Sequence, residues 1–136
     1  MKKYMFAALM ICIVMGCSAS KISVSDPLFK NKWVLSELNG TPVQMSNTNK
    51  DAHLVFSFDG MAVRGSGGCN NLTGTFTAKG DDLSFGPMAS TRMLCPDSQF
   101  ETAFLAVLGK VNHYYISDNI LQLKDDKTVV ARLMAK

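Results

Sequence analysis

The sequence predicts a β-rich α+β domain, a curved antiparallel sheet plugged or crossed by one amphipathic helix, and three observations carry that prediction. Apolar residues recur with a period of two over most of the chain, turn-forming residues punctuate these runs at short intervals, and a single segment breaks the alternation with helical spacing.

Trp33 and Leu35 share one face of the first run. Leu54, Phe56 and Phe58 share a face of the second, and Asp59-Gly60 supplies a hairpin signal before Met61 and Val63, so these two runs should pair. Further strands are expected at 72–77, 83–85, 114–117, 120–124 and 128–134. Between them lie Lys79-Gly80-Asp81-Asp82, Asp118-Asn119 and Asp125-Asp126-Lys127, all rich in residues that tolerate turn geometry. Short strands at this spacing favour a barrel or sandwich over a parallel sheet.

The exception is the run Phe100, Ala103, Phe104, Val107, Leu108 and Val111. With Ser98 and Glu101 forming a capping-box signature just after Pro96, it predicts a helix over 98–110 whose apolar stripe lies against the sheet.

The N-terminus has a different character. Lys2 and Lys3 precede an almost wholly apolar stretch, 4–14, which suits the hydrophobic region of a signal peptide and is short for a membrane span. Val14-Met15-Gly16-Cys17 then resembles a lipobox, with Cys17 receiving the diacylglycerol. Ser18 follows where an inner-membrane lipoprotein of Gram-negative bacteria usually has aspartate, so the expected location is the outer membrane, facing the periplasm. The organisation is thus a signal peptide at 1–16, an acylated tether at 17–29 and one domain at 30–136. About 120 residues remain after cleavage, enough for one core.

Charge excludes one class of partner. The formal net charge of +3 falls to +1 once Lys2 and Lys3 leave, and no basic run survives to track a phosphate backbone. Four cysteines are present; Cys12 leaves with the signal peptide and Cys17 takes the lipid, so Cys69 and Cys95 remain. An oxidising compartment favours a disulfide between them, which would stabilise the fold by about 3.5 kcal/mol. Two buried thiols, or a soft-metal site shared with Met88 and Met93, are the alternatives.

Trp33, Leu35, Asn39-Gly40, Phe58, Gly65, Gly68-Cys69-Asn70, Gly74, Thr91-Arg92-Met93-Leu94-Cys95, Glu101, Phe104, Leu108, Leu121 and Leu123 together resemble the META domain family, and within it the HslJ-type heat-shock lipoproteins. The resemblance covers about residues 30–134. It implies a small, incompletely closed antiparallel β-barrel with one helix, similar in shape to lipid-binding pilotins, and no catalytic activity. It also implies a role in envelope stress or antibiotic tolerance. Leu94 departs from the alanine common at its position in the family, and Phe76 from a tyrosine.

The residues themselves offer little chemistry. The glycine-rich stretch 65–71 lacks the Gly-Lys-Ser/Thr ending of a phosphate loop, and its glycines are better read as permitting a sharp turn that the asparagines cap. His53 and His113 stand in no metal or triad arrangement. Asp81-Asp82 and Asp125-Asp126 are adjacent pairs that cannot flank one bond, and read as turn residues. No catalytic residue, metal site or cofactor is therefore expected. Arg92 is a possible polar contact, either to a carboxylate or phosphate or to backbone carbonyls near Cys95. Trp33, Phe56, Phe58, Phe104 and Leu108 are expected on an inward face, which, if open, would accept a lipid or an apolar peptide and, if packed, would be core.

Overall fold

The computed structural model describes residues 21–136; the predicted signal peptide and the predicted lipidation site Cys17 lie outside the described residues. Ten strands and one helix follow in order: β1 (Lys32–Leu38), β2 (Thr41–Pro42), β3 (His53–Ser57), β4 (Ala62–Ser66), β5 (Asn71–Lys79), β6 (Asp82–Phe85), β7 (Ala89–Ser90), α1 (Ser98–Leu108), β8 (His113–Ser117), β9 (Ile120–Asp125) and β10 (Thr128–Ala135).

Eight of these strands form an antiparallel barrel. Pairing runs β1, β3, β4, β5, β6, β8, β9, β10, and β10 returns to β1 through five residue pairs from Trp33 with Ala135 to Leu38 with Ala131. The expected antiparallel barrel with one helix is present, but its ring of pairings is continuous where an incompletely closed barrel was expected. The thinnest seam lies between β6 and β8, where Asp82 opposite His113 is the one pair in register. Backbone bonds from Leu83 N to Asn112 O and from Tyr114 N to Asp81 O flank it. β2 and β7 pair outside the ring, with β1 and β5 respectively.

Alternation decides what points inward. Leu54 and Phe56 on β3, Leu72 and Phe76 on β5, and Leu121 and Leu123 on β9 are buried, while Val55 between the first pair is exposed. Phe58 departs from the expected face. β3 ends at Ser57, and Phe58 adopts a helical backbone at the start of a short 3-10 turn, Asp59–Met61, so the period of two stops one residue before it. Its ring is 40% exposed and meets Phe29 edge-on, with centroids 5.5 Å apart.

Each end of the barrel is closed by a different element. Across the end where β5 begins lies α1, which contributes buried Phe104, Val107 and Leu108 to the common core; Ala103, on the predicted stripe, is exposed. At the end where β5 finishes, Lys21 pairs with Lys79, and a 3-10 turn at Pro27–Phe29 inserts Leu28. The Trp33 indole donates to the Leu28 carbonyl at 3.0 Å, Asp26 caps the turn by accepting from Leu28 N at 2.9 Å, and the Tyr114 hydroxyl donates to Asp26 at 3.3 Å. Residues 21–29, the described part of the expected tether 17–29, are therefore part of the folded unit, because Leu28 is buried and Phe29 is half-buried against Phe76.

Candidate functional site at the disulfide end of the barrel

Cys69 and Cys95 are bonded, with Cα atoms 6.0 Å apart across 26 residues. The bridge joins the turn after β4 to the segment before α1, as the compartment argument expected, and leaves no thiols for the alternative soft-metal site.

The turn is built from its glycines. At Gly65 a Cβ would fall inside the His53 carbonyl, at Gly67 it would strike the Glu101 carboxylate, and Gly68 has φ +104°. Freed of side chains, the loop closes around Glu101, a residue the sequence does not mark as part of a site. Glu101, read from sequence as half of a capping box, is buried and points away from its own helix start. It accepts from Asn70 N at 2.9 Å through Oε2 and from Asn70 Nδ2 at 2.7 Å through Oε1. Asp97, rather than Ser98, caps α1 by accepting from Phe100 N. The glycine loop does bind an anion, and the anion is the protein's own carboxylate. Glu101 stands among the family motif residues, but its place three residues into the helix is locally explained as a cap, and nothing in the sequence points from it to Asn70.

Asn70 connects three segments. Besides its two bonds to Glu101, its Oδ1 accepts from Thr91 Oγ1 at 3.0 Å and from Met93 N at 2.8 Å, and its Nδ2 also lies 3.4 Å from Cys95 Sγ. Thr91 Oγ1 in turn accepts from Asn71 N at 3.1 Å. Every hydrogen-bonding group of this buried asparagine side chain is used, which fixes the loop in one arrangement.

What the cluster holds up is the run Arg92, Met93 and Leu94. All three are exposed, Leu94 fully so, and Arg92 has no hydrogen bond or ion pair among the described residues. The backbone-carbonyl role considered for Arg92 is not what forms. Near the bridge is an open hollow of about 430 Å³, lined by Leu38, Thr41, Pro42, Val43, Gln44, Lys50, Asp51, Ala52, Gly68 and Phe100. Asp51 accepts from Ser46 N, Ser46 Oγ and Thr48 N, and these bonds, the Ser46 hydroxyl first, hold its carboxyl below the usual carboxylate range.

Of the residues expected on an inward face, Trp33, Phe56, Phe104 and Leu108 are buried in the core and line neither the hollow near the bridge nor a larger one beside His113. Phe104, Val107 and Leu108 from the helix and Leu28 from the opposite end belong to one buried cluster with Trp33 and Phe56. Phe58, by contrast, stands at the surface. His53 and His113 lie on different strands. His53 Nδ1 is 2.8 Å from the Asp51 carbonyl; His113 lies between Asp82, 3.2 Å from Nε2, and Asn112 Oδ1, 2.7 Å from Nδ1. His113 borders a second, open hollow of about 960 Å³ with Asp81, Tyr115, Lys124 and Asp126. Among the described residues no three histidine, cysteine or acidic side chains converge as a metal site would require.

Comparison with solved structures finds the same fold elsewhere. A protein from Burkholderia xenovorans solved by NMR is 21% identical, with a TM-score of 0.63 over the whole of this chain and 99% of that one. A second NMR structure is 25% identical, with a TM-score of 0.58 over 80% of this chain and 90% of the other. The crystal structure of a DUF4847 family protein from Bacteroides vulgatus is 15% identical, with a TM-score of 0.58 over 83% and 96% of the two chains. No functionally curated protein matches. The META domain model matches residues 26–136, which begins at the residue that caps the Leu28 turn and spans the barrel, the helix and the bridge. The chain belongs to the META domain family.

Proposed function

We propose that this chain is a non-enzymatic lipoprotein of the bacterial envelope, anchored through Cys17 in the outer membrane, whose barrel is a rigid stem that displays its disulfide end to a protein partner. The observation that carries the reading is the contrast between a barrel filled by its own side chains and a fully exposed Leu94 on a loop held by a covalent bridge. A filled interior favours a partner over an internal lipid or apolar peptide. The side-chain bonds of Asn70 are all used within the protein, and both oxygens of Glu101 are engaged by Asn70 in holding the loop.

The anchor geometry supports the same reading. Three residues separate Cys17 from Lys21, which pairs with Lys79, so the end of the barrel that finishes β5 is tied within about 14 Å of the lipid. The Gly68 loop opens at the other end of β5, and nine strand residues place it roughly 26 Å away. A role in envelope stress or antibiotic tolerance accords with the HslJ resemblance. Two experiments test the reading. Cys17→Ala is expected to abolish palmitate labelling and mislocalise the protein, and a deletion strain is expected to show altered sensitivity to envelope-active drugs. Persistent labelling of the variant overturns the lipoprotein assignment.

A further inference from the structure

The end of the barrel opposite the Gly68 loop also leaves apolar side chains at the surface. There the chain turns from β3 to β4 through Phe58, Asp59, Gly60 and Met61, and the five residues of β4 put this tip roughly 17 Å from the Gly68 loop. Phe58 is exposed, with Phe29 edge-on against it at 5.5 Å. Phe29 in turn lies 6.2 Å from Phe76, three residues before Lys79 at the end of β5. Lys79 pairs with Lys21, and the turn that follows, closed by Asp26 N on Ser23 O at 2.9 Å, leaves Val24 64% exposed. Two turns more than thirty residues apart in sequence thus bring exposed apolar side chains to one end of the barrel, the end to which Lys21 belongs.

We infer that this end is a membrane-docking face, on which Phe58 and Val24, with Phe29 behind Phe58, enter the interfacial region of the bilayer that holds the Cys17 lipid. The inference rests on the anchored reading. The step from Cys17 to Lys21 spans at most about 14 Å, so the bilayer is the apolar medium nearest to these side chains. Exposed apolar surface gains free energy by moving into it. Leu94 is more exposed still, but it stands at the far end, where the anchor does not bring the bilayer.

The patch is too small to hold a free protein to lipid. Joined covalently to an acyl anchor, it docks in an intramolecular step at high effective concentration, and a small area then suffices. Charge does not decide the contact, because exposed Lys21, Lys30 and Lys79 stand among exposed Asp59 and Asp81. The lysine stems can extend their amines to the headgroups while the apolar side chains go deeper. Docking in this way stands the barrel upright and points the disulfide end away from the membrane, an orientation that a tether alone does not impose.

The test uses the full, acylated chain reconstituted into vesicles of phosphatidylethanolamine and phosphatidylglycerol, with and without bromine on the acyl chains. Phe58→Trp and Leu94→Trp each add an indole at an exposed position, and buried Trp33 of the parent supplies the baseline emission. Melting temperatures near the parent's show that both variants fold. The emission added at position 58 is expected to be roughly halved by the brominated lipid, and that added at position 94 to be unchanged, since bromine quenches only an indole that reaches the acyl region. No quenching at position 58, or quenching at position 94 as strong as at 58, overturns the inference. Failure here with Cys17-dependent palmitate labelling intact removes the docking face and leaves the lipoprotein reading standing.

Discussion

The carboxylate of Glu101 accepts both the backbone and the side-chain N–H of Asn70, 31 residues away, and this pair determines how the disulfide loop is held. Glu101→Gln puts an amide donor where both partners are donors. The expected cost is about 1–3 kcal/mol, since one buried group loses its partner. Thermal melts of the oxidised protein check it, at roughly 4 °C for each kcal/mol. An unchanged melting temperature would contradict the role assigned to the pair.

The bridge makes a separate contribution. Cys95→Ser is expected to destabilise the domain by about 3.5 kcal/mol, the entropy of closing a loop of this length. Thiol titration under native conditions should find Cys69 and Cys95 unreactive until a reductant is added.

Phe58 and Phe104 distinguish the surface from the core. Phe104→Ala is expected to cost about 3–5 kcal/mol, whereas Phe58→Ala, which leaves a partly exposed edge contact with Phe29, is expected to cost far less. Denaturant unfolding of the two variants measures the difference, and equal losses would show that Phe58 belongs to the core.

Tyr114 links stability to alkaline pH. Burial pushes its hydroxyl up to about 12, with Asp26 and then Asp81 adding to the shift. An acid whose folded pKa is raised stabilises the fold fully below the unfolded value near 10, and that stabilisation is lost as pH rises through the folded value. Stability is therefore expected to fall between about pH 10 and 12, and Tyr114→Phe is expected to flatten that slope. Tyrosinate absorbance gives an independent check, because the Tyr114 ring should ionise only near pH 12.

Much of this was legible in the residues. Period-two runs located the strands of the barrel, and the helix was placed within two residues of Ser98–Leu108 because its stripe breaks that period. Closure of the ring through β1 and β10 was not legible, since pairing between strands 100 residues apart leaves no local trace. Phe58 misled because alternation says nothing of where a strand stops. Residues 21–29 misled because apolar side chains scattered without a helical or strand period, Leu28 and Phe29 among them, do not reveal the core that receives them. At the site, the cysteines were readable from compartment and count. Glu101 needed the loop geometry, because a carboxylate three residues into a helix has an adequate local explanation.

The claim on which the account rests most heavily is that the barrel interior is filled, and Trp33, the only tryptophan, reports on it from the core. Titrating the protein with fatty acids and detergent monomers below micelle formation, while following Trp33 emission and the melting temperature, measures this directly. The account predicts that neither changes across a broad panel, because a packed interior has no room for an acyl chain. A saturable change in emission accompanied by a rise in melting temperature, the mass-action signature of a ligand that prefers the native state, would contradict it.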